Sequence, residues 1–240
     1  MARHTCVTTG CETCELRTGS VLCDLPAAGL ASLGQITHRF HYGPRETIFY
    51  EGHACLGLYL LSSGKVKLTH SSVRGQRHIV RILTAGHLLE THAFQEDATH
   101  LATCETLEAS QVCLIEREGY ATLVRHDPQL AINLIQLLSG ELGRQRDELD
   151  SFTFKRARER LAALLLELSR RFGREAGETV ELRLSLKREE LAELLGVTVE
   201  TAIRLLSAFR TEGLVHLDGR TITLLNRDRL ARIARHPHMS

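Results

Sequence analysis

Four cysteines, Cys6, Cys11, Cys14 and Cys23, crowd into the first 24 residues of a 240-residue chain. Three more, Cys55, Cys104 and Cys113, follow at wide intervals. Cys11 and Cys14 form a C-x2-C pair, a spacing at which two thiolates can share a metal or act as a redox couple. A thioredoxin-like couple needs a βαβ setting, which the flanking residues do not supply. Seven is an odd count and the N-terminus carries no apolar export signal, so a disulfide framework is disfavoured and metal or redox chemistry gains. Cys55 and Cys104 read as buried thiols acting as small hydrophobes. The 13 histidines are scattered, and His78 and His87 are the candidates for a heme ligand.

A second chemistry sits in residues 185–214, SLKREELAELLGVTVETAIRLLSAFRTEGL. Ser185 is read as the N-cap of a helix with Glu189 and Glu190 in its first turn and Leu191, Leu194 and Leu195 inside. Gly196 supplies a tight turn. Thr198 then caps a second helix whose inner face is Ala202, Leu205, Leu206 and Phe209, and Ala192 is small where the two helices approach. Glu200, Thr201, Ile203 and Arg204 face outward. In a helix laid in a DNA major groove, Glu accepts from cytosine and Arg bonds guanine through two donors. The same Glu200–Arg204 spacing is also that of a solvated i,i+4 pair. LVHLDGRTITLL reads as a hairpin with Asp218-Gly219 at its tip, which makes a winged helix-turn-helix. Lys187, Arg210 and Arg220 are candidate phosphate contacts that would position without specifying.

The elements that must carry these residues follow from patterning. Residues 1–24 have neither helical nor strand periodicity and would be ordered only if tied down. From Phe40 to Glu116 short β-rich runs alternate with turns, the texture of a small antiparallel roll or barrel. In GKVKLTH, Val66 and Leu68 alternate with Lys65, Lys67 and Thr69, the pattern of a strand with one wet face. Asp127-Pro128 signals a helix start. Stepping by four and three from Ala131 then gives Ile135, Leu138, Leu142, Gln145, Leu149 and Phe152, a narrow apolar seam flanked by charges that include Glu141. This favours a partner helix, most simply a symmetry mate, with polar Gln145 fixing register; packing on its own domain is the alternative. A further helix from Arg156 to Phe172 is broken by Gly173–Gly177, and a short strand, TVELRLSL, follows.

Composition agrees with a folded chain: 43% hydrophobic and 25% charged, with a net charge of +1. The longest apolar run, about seven residues around Cys55–Leu61, is far below the roughly 18 needed for a membrane span. A cytoplasmic chain is the expectation, with no membrane partner. Charge is uneven. Residues 1–150 hold 13 Lys and Arg against 17 Asp and Glu, and residues 151–240 hold 17 against 12, so the basic end is the one suited to a polyanion. No C-x-x-C context, paired carboxylates or phosphate loop supports an enzyme.

The order of β-roll, long helix and winged helix-turn-helix resembles the CRP/FNR family of bacterial transcription regulators. The resemblance runs from about Cys11 to Leu230 and is densest in ERLAALLLELSRRF and LGVTVETAIRLLSAFRTEGL, which look like the FNR branch. It implies an α+β chain: a cysteine-rich segment over 1–24, a cyclic-nucleotide-binding-like β-roll over 25–126, a dimerisation helix over 127–153 and a DNA-binding domain over 154–240. That branch reads DNA through an E-x-x-S-R pattern, which falls on Glu200, Ile203 and Arg204, with Ile203 where Ser is usual. An apolar side chain there can meet a thymine methyl, so a palindrome related to TTGAT-N4-ATCAA is expected.

The family's other branch binds cyclic nucleotide through a Gly-Glu pair and an Arg. Here Gly86-His87 stands in that place and no Lys or Arg occurs between Arg81 and Arg117, so a phosphodiester would lack a cation. FNR-type sensors hold a [4Fe–4S] cluster with three N-terminal cysteines and one in the roll. The resemblance assigns these to Cys11, Cys14, Cys23 and Cys113, with Cys6 the substitute because eight residues separate Cys14 from Cys23 against the usual five. It implies a homodimer on palindromic DNA, RNA polymerase as a partner, and control of anaerobic genes by oxygen. A structural zinc on the same cysteines, or a response to nitric oxide, heme ligands or thiol oxidation, is the alternative.

Overall fold

The computed structural model describes residues 27–72, 77–90, 92–177, 179–182, 184 and 186–235. The chain divides into two compact units, one ending at Gly143 and the other beginning at Arg144.

In the first unit, α1 (Ala27–Gln35) precedes seven strands: β1 (Thr37–Tyr42), β2 (Thr47–Phe49), β3 (Gly57–Ser63), β4 (Lys65–Ser71), β5 (Arg77–Thr84), β6 (Thr103–Thr106) and β7 (Ser110–Glu116). They form two antiparallel sheets, ordered β1-β7-β3 and β2-β6-β4-β5. The turn from β3 to β4 is made by Gly64 at φ +90°, a conformation that favours a residue without Cβ. One apolar cluster draws on both sheets, with Leu60, Val66, Leu83 and Val112 among its members.

β4 departs from the alternation its sequence suggests. Lys67 and Thr69 are buried, and Lys67 reaches its cross-strand neighbour Glu105 at 3.1 Å. The face expected to be wet is covered, and the lysine is tolerated there because its charge is paired.

Two helices close the roll. α2 (Arg117–His126) follows β7 without a loop, and Tyr120 from it donates to the Leu130 carbonyl at 2.8 Å. α3 runs Gln129–Phe154, with the Asp127 carboxylate accepting from the Gln129 N–H at 3.1 Å, the cap that Asp127-Pro128 promised. Its first half has an inner face: Leu130 and Leu134 belong to the roll's core, and Leu137 and Leu138 pack against it. Glu141, one of the charges that flank the seam, is buried and paired with Arg81 of β5.

The second unit holds α4 (Ala157–Phe172), β8 (Gly173–Ala176), β9 (Thr179–Leu182), α5 (Arg188–Leu195), α6 (Val199–Thr211), β10 (Val215–Asp218), β11 (Thr221–Leu224) and α7 (Arg227–Arg235). The Gly173–Gly177 stretch is more than a break. Its first four residues form β8, which pairs with β9 to complete an antiparallel sheet ordered β10-β11-β9-β8. Leu161, Leu165, Leu168, Leu206 and Phe209 are among the buried apolar residues of α4 and α6. Among the described residues no helix is long and apolar enough to cross a membrane.

Candidate nucleic-acid interface and thiolate site

Ser185, read as the cap of this helix, lies outside the described residues, and α5 starts at Arg188. Lys187 is the N-cap, and its N–H is met by the Glu190 carboxylate at 2.9 Å. The reciprocal half is missing, since lysine has no acceptor to offer. α5 ends at Gly196, φ +63°, whose left-handed conformation turns the chain towards α6. The Val197 N–H closes this turn on the Ala192 carbonyl at 3.1 Å. Thr198 caps α6, its hydroxyl oxygen accepting from the Thr201 N–H at 3.3 Å.

Ala202, Leu206 and Phe209 lock α6 to the core, and Leu205 is half-buried beside them. Glu200, Ile203, Arg204 and Arg210 are exposed. Thr201 sits differently from the other outward-facing residues: it is half-buried and its hydroxyl receives a bond from Thr198 at 3.0 Å. Lys187 and Arg220 are exposed as well. The hairpin joining β10 to β11 has Gly219 and Arg220 as its two loop residues, one step later than the Asp218-Gly219 tip, with Gly219 at φ +55°. The helix-turn-helix and the wing therefore present Glu200, Ile203, Arg204, Arg210 and Arg220 to solvent as an unneutralised, largely basic set, as binding to a phosphate backbone requires.

Three arginines hold this frame together, and the sequence pattern singled out none of them. Arg158 of α4 donates two 2.7 Å bonds to the Glu212 carboxylate at the end of α6 and lies 5.0 Å over the Phe209 ring. The Arg158 hydrogen bonds are the main reason the Glu212 carboxyl is held below its ordinary range. Arg160 donates to the Leu195 carbonyl at 3.2 and 3.1 Å, closing the C-terminus of α5. Arg188 donates to the Gly219 carbonyl at 2.9 Å and so ties α5 to the wing. Their partners are 31 to 54 residues away, beyond the reach of any local signal.

On α3 the seam residues take two positions. Ile135, Leu142 and Leu149 are 61%, 69% and 67% exposed, a heptad-spaced row, and Gln145 is exposed with them. Ile132 joins this outer face, whereas Leu138 is half-buried against the roll's core.

Of the thiols, Cys113 lies on β7, the central strand of its sheet, between Arg39 on β1 and Leu60 on β3. It is buried and part of the same core cluster as Leu130 and Leu134 of α3. Cys6, Cys11, Cys14 and Cys23 lie outside the described residues. Cys55 and Cys104 are buried, as small hydrophobes would be, and burial pushes both thiols up. His87, weighed as a heme ligand, has its Nδ1 3.0 Å from the Thr84 carbonyl.

A β-roll, a helix with an exposed apolar row and a winged helix-turn-helix with its reading face free define a class of protein, the DNA-binding transcription regulators. Comparison narrows this. The model of the cyclic nucleotide-binding domain matches residues 39–127, and that of the Crp-like helix-turn-helix domain matches 159–233. The chain is 35% identical over 191 residues to the fumarate and nitrate reduction regulatory protein of Escherichia coli K12, covering 80% of this chain and 76% of that one. It is 34% identical to the corresponding Klebsiella oxytoca protein, over 79% and 75%. Among solved structures, FixK2 from Bradyrhizobium japonicum is similar at TM-score 0.72 and 27% identity, over 85% of this chain and all of that one. A CooA mutant from Carboxydothermus hydrogenoformans shares the fold at TM-score 0.72 and 20% identity, over 96% and 98%. The chain belongs to the CRP/FNR family and is an FNR-like DNA-binding transcription regulator, not an enzyme.

Proposed function

We propose that this regulator senses oxygen through a [4Fe–4S] cluster held by Cys11, Cys14, Cys23 and Cys113, and that as a homodimer it controls anaerobic-metabolism genes from a palindromic FNR-like operator. The observation that carries this reading is the position of Cys113: a buried thiol on the central strand of one sheet, in one core with the inner face of α3. Four thiolates are the donor set that such a cluster takes, and it supplies chemistry that oxygen can reach and alter. The likeness to fumarate and nitrate reduction regulators supports the same assignment.

The chain's own residues would do the coupling. Leu130 and Leu134 share the Cys113 core, so what tethers the N-terminal segment to Cys113 bears on the helix whose outer row is Ile135, Leu142 and Leu149. Pairing of that row with a second copy sets two α6 helices about one DNA turn apart, with RNA polymerase as the downstream partner. The tether biases pairing only if it holds the dimeric form more tightly than the monomer. Glu200 and Arg204 read bases, Ile203 meets a thymine methyl, and Lys187, Arg210 and Arg220 contact phosphates. Cyclic nucleotide is not the ligand, since residues 82–116 contain no Lys or Arg to meet a phosphate.

The test is analysis of anoxically isolated protein. About four iron and four sulfide per chain are expected. Cys113→Ser is expected to lose them, and Cys6→Ser to keep them. Zinc in their place, or iron content indifferent to Cys113, refutes the assignment.

A further inference from the structure

Cys55, Glu90 and His100 come from three separate segments and are all buried, and their ligand-type atoms lie within 4.8 Å of one another. We infer that these three side chains form a mononuclear site for a borderline divalent cation of the zinc class, distinct from the cysteines proposed for the cluster.

The site is built by backbone pairing. The Cys55 N–H donates to the Ala98 carbonyl at 2.8 Å and the His100 N–H to the His53 carbonyl at 2.8 Å, which lock the two segments side by side. The Leu89 N–H donates to the Tyr59 carbonyl at 2.7 Å and brings Glu90 beside them. The ring of His100 is fixed by stacking on Phe49, centroids 3.8 Å apart and 8° from parallel, with Tyr59 edge-on at 5.2 Å. His100 Nδ1 is 2.9 Å from Glu90 Oε2, and His92 Nδ1 is 2.7 Å from Glu90 Oε1. His92 Nε2 in turn meets the Thr99 carbonyl at 2.9 Å. Histidine on the far oxygen of a ligating carboxylate is a positioning contact of the kind that metal sites use.

The donor types select the ion. One sulfur, one nitrogen and one carboxylate oxygen suit zinc and its borderline neighbours, whereas calcium and magnesium want oxygen alone. With metal–ligand lengths of about 2.0–2.3 Å, tetrahedral ligand atoms stand about 3.3–3.6 Å apart. Admitting the ion opens the 2.9 Å His100–Glu90 contact by a few tenths of an ångström and draws Cys55, whose sulfur lies within 4.8 Å of both, to the same spacing. A thiolate and a carboxylate together balance a dication; as it enters, the Cys55 thiol proton leaves to solvent and the imidazole proton that faces Glu90 passes to the other ring nitrogen of His100. Three protein donors leave a fourth tetrahedral position for water or an exchangeable ligand. None of the four side chains is among Cys11, Cys14, Cys23 and Cys113, so the site stands or falls independently of the cluster.

The experiment uses the full chain with Cys6, Cys11, Cys14 and Cys23 all changed to Ser, which removes the N-terminal segment's own thiolates. Cobalt(II) titration is expected to saturate at one equivalent with a thiolate-to-metal charge-transfer band and tetrahedral ligand-field bands, and zinc is expected to displace it. Cys55→Ser abolishes the charge-transfer band, and Cys104→Ser leaves it in place. Glu90→Gln and His100→Gln weaken binding by about 100-fold or more, and His92→Gln by about 10- to 100-fold. Zinc raises the Tm of the parent chain and not that of Cys55→Ser, which also registers whether each variant folds without metal. Failure of the parent chain to take up one equivalent, or a charge-transfer band that survives Cys55→Ser, overturns the proposal whatever the other variants do.

Discussion

Arg81 on β5 and Glu141 on α3 form an ion pair in which each side chain is only 10% exposed. The pair fastens the long helix to the roll one residue before Leu142, whose side chain faces outward. Removing one partner of a buried pair strands the other charge, which costs about 3–5 kcal/mol. Glu141→Ala is therefore expected to destabilise the protein by about 3 kcal/mol in urea unfolding. Changing both residues to Leu is expected to recover most of that loss. An equal loss in the single and double variants would show that the pair is not what matters at this point.

Among the described residues, Ile135, Leu142 and Leu149 stand largely exposed. Leu142→Asp is accordingly expected to leave the monomer's Tm nearly unchanged, because no core is opened, while abolishing self-association in sedimentation. Leu138→Asp is expected to lower stability instead, since that side chain is half-buried against the roll. Sedimentation and thermal melts on both variants separate the two faces of the helix.

Arg204 and Lys187 are both exposed cations, but the docking proposed for them differs. Arg204→Ala is expected to cost about 1–3 kcal/mol of operator binding and to relax preference at one base pair of each half-site. Lys187→Ala is expected to weaken all sequences alike and to reduce the salt slope by about one. Ile203→Ser is expected to change preference at a single position. Binding titrations against point-substituted operators at two salt concentrations read all three.

Glu212 gives the second unit a pH dependence whose sign can be worked out. Hydrogen bonds from Arg158 are the largest cause holding its carboxyl below the ordinary 4.5. The folded state thus binds the proton less readily than the unfolded chain, so the stabilisation is complete above the ordinary carboxylate value and is lost as pH falls through the depressed one. Glu212→Gln is expected to cost about 0.5–1 kcal/mol near neutral pH, discounted for partial exposure. The difference from the parent is expected to vanish in acid. Urea unfolding at several pH values measures it.

The helix-turn-helix was legible because its signals are local: Gly196 must turn, Thr198 must cap, and Ala202, Leu206 and Phe209 repeat at helical spacing. The start of α3 was legible for the same reason, through Asp127-Pro128. Lys67 was misread as lying on a wet face, and the burial of Glu141 went unseen, because a charge pattern does not reveal a partner such as Glu105 or Arg81 that folding brings opposite. β8 was read as a break because its residues Gly173–Ala176 have no apolar face of their own and become a strand only by pairing with β9. The nearness of Glu90 and His100 to Cys55 was not legible, since His100 reaches it only through the pairing of residues 53–55 with 98–100.

The most direct test of oxygen sensing is sedimentation and operator titration on one anoxically isolated sample, before and after admission of air. The account predicts an iron- and sulfide-containing dimer that binds the palindrome without oxygen, and a fall in both association and affinity in air that Cys113→Ser mimics from the start. Iron-free protein that stays dimeric and grips the operator equally well under both gases would contradict it.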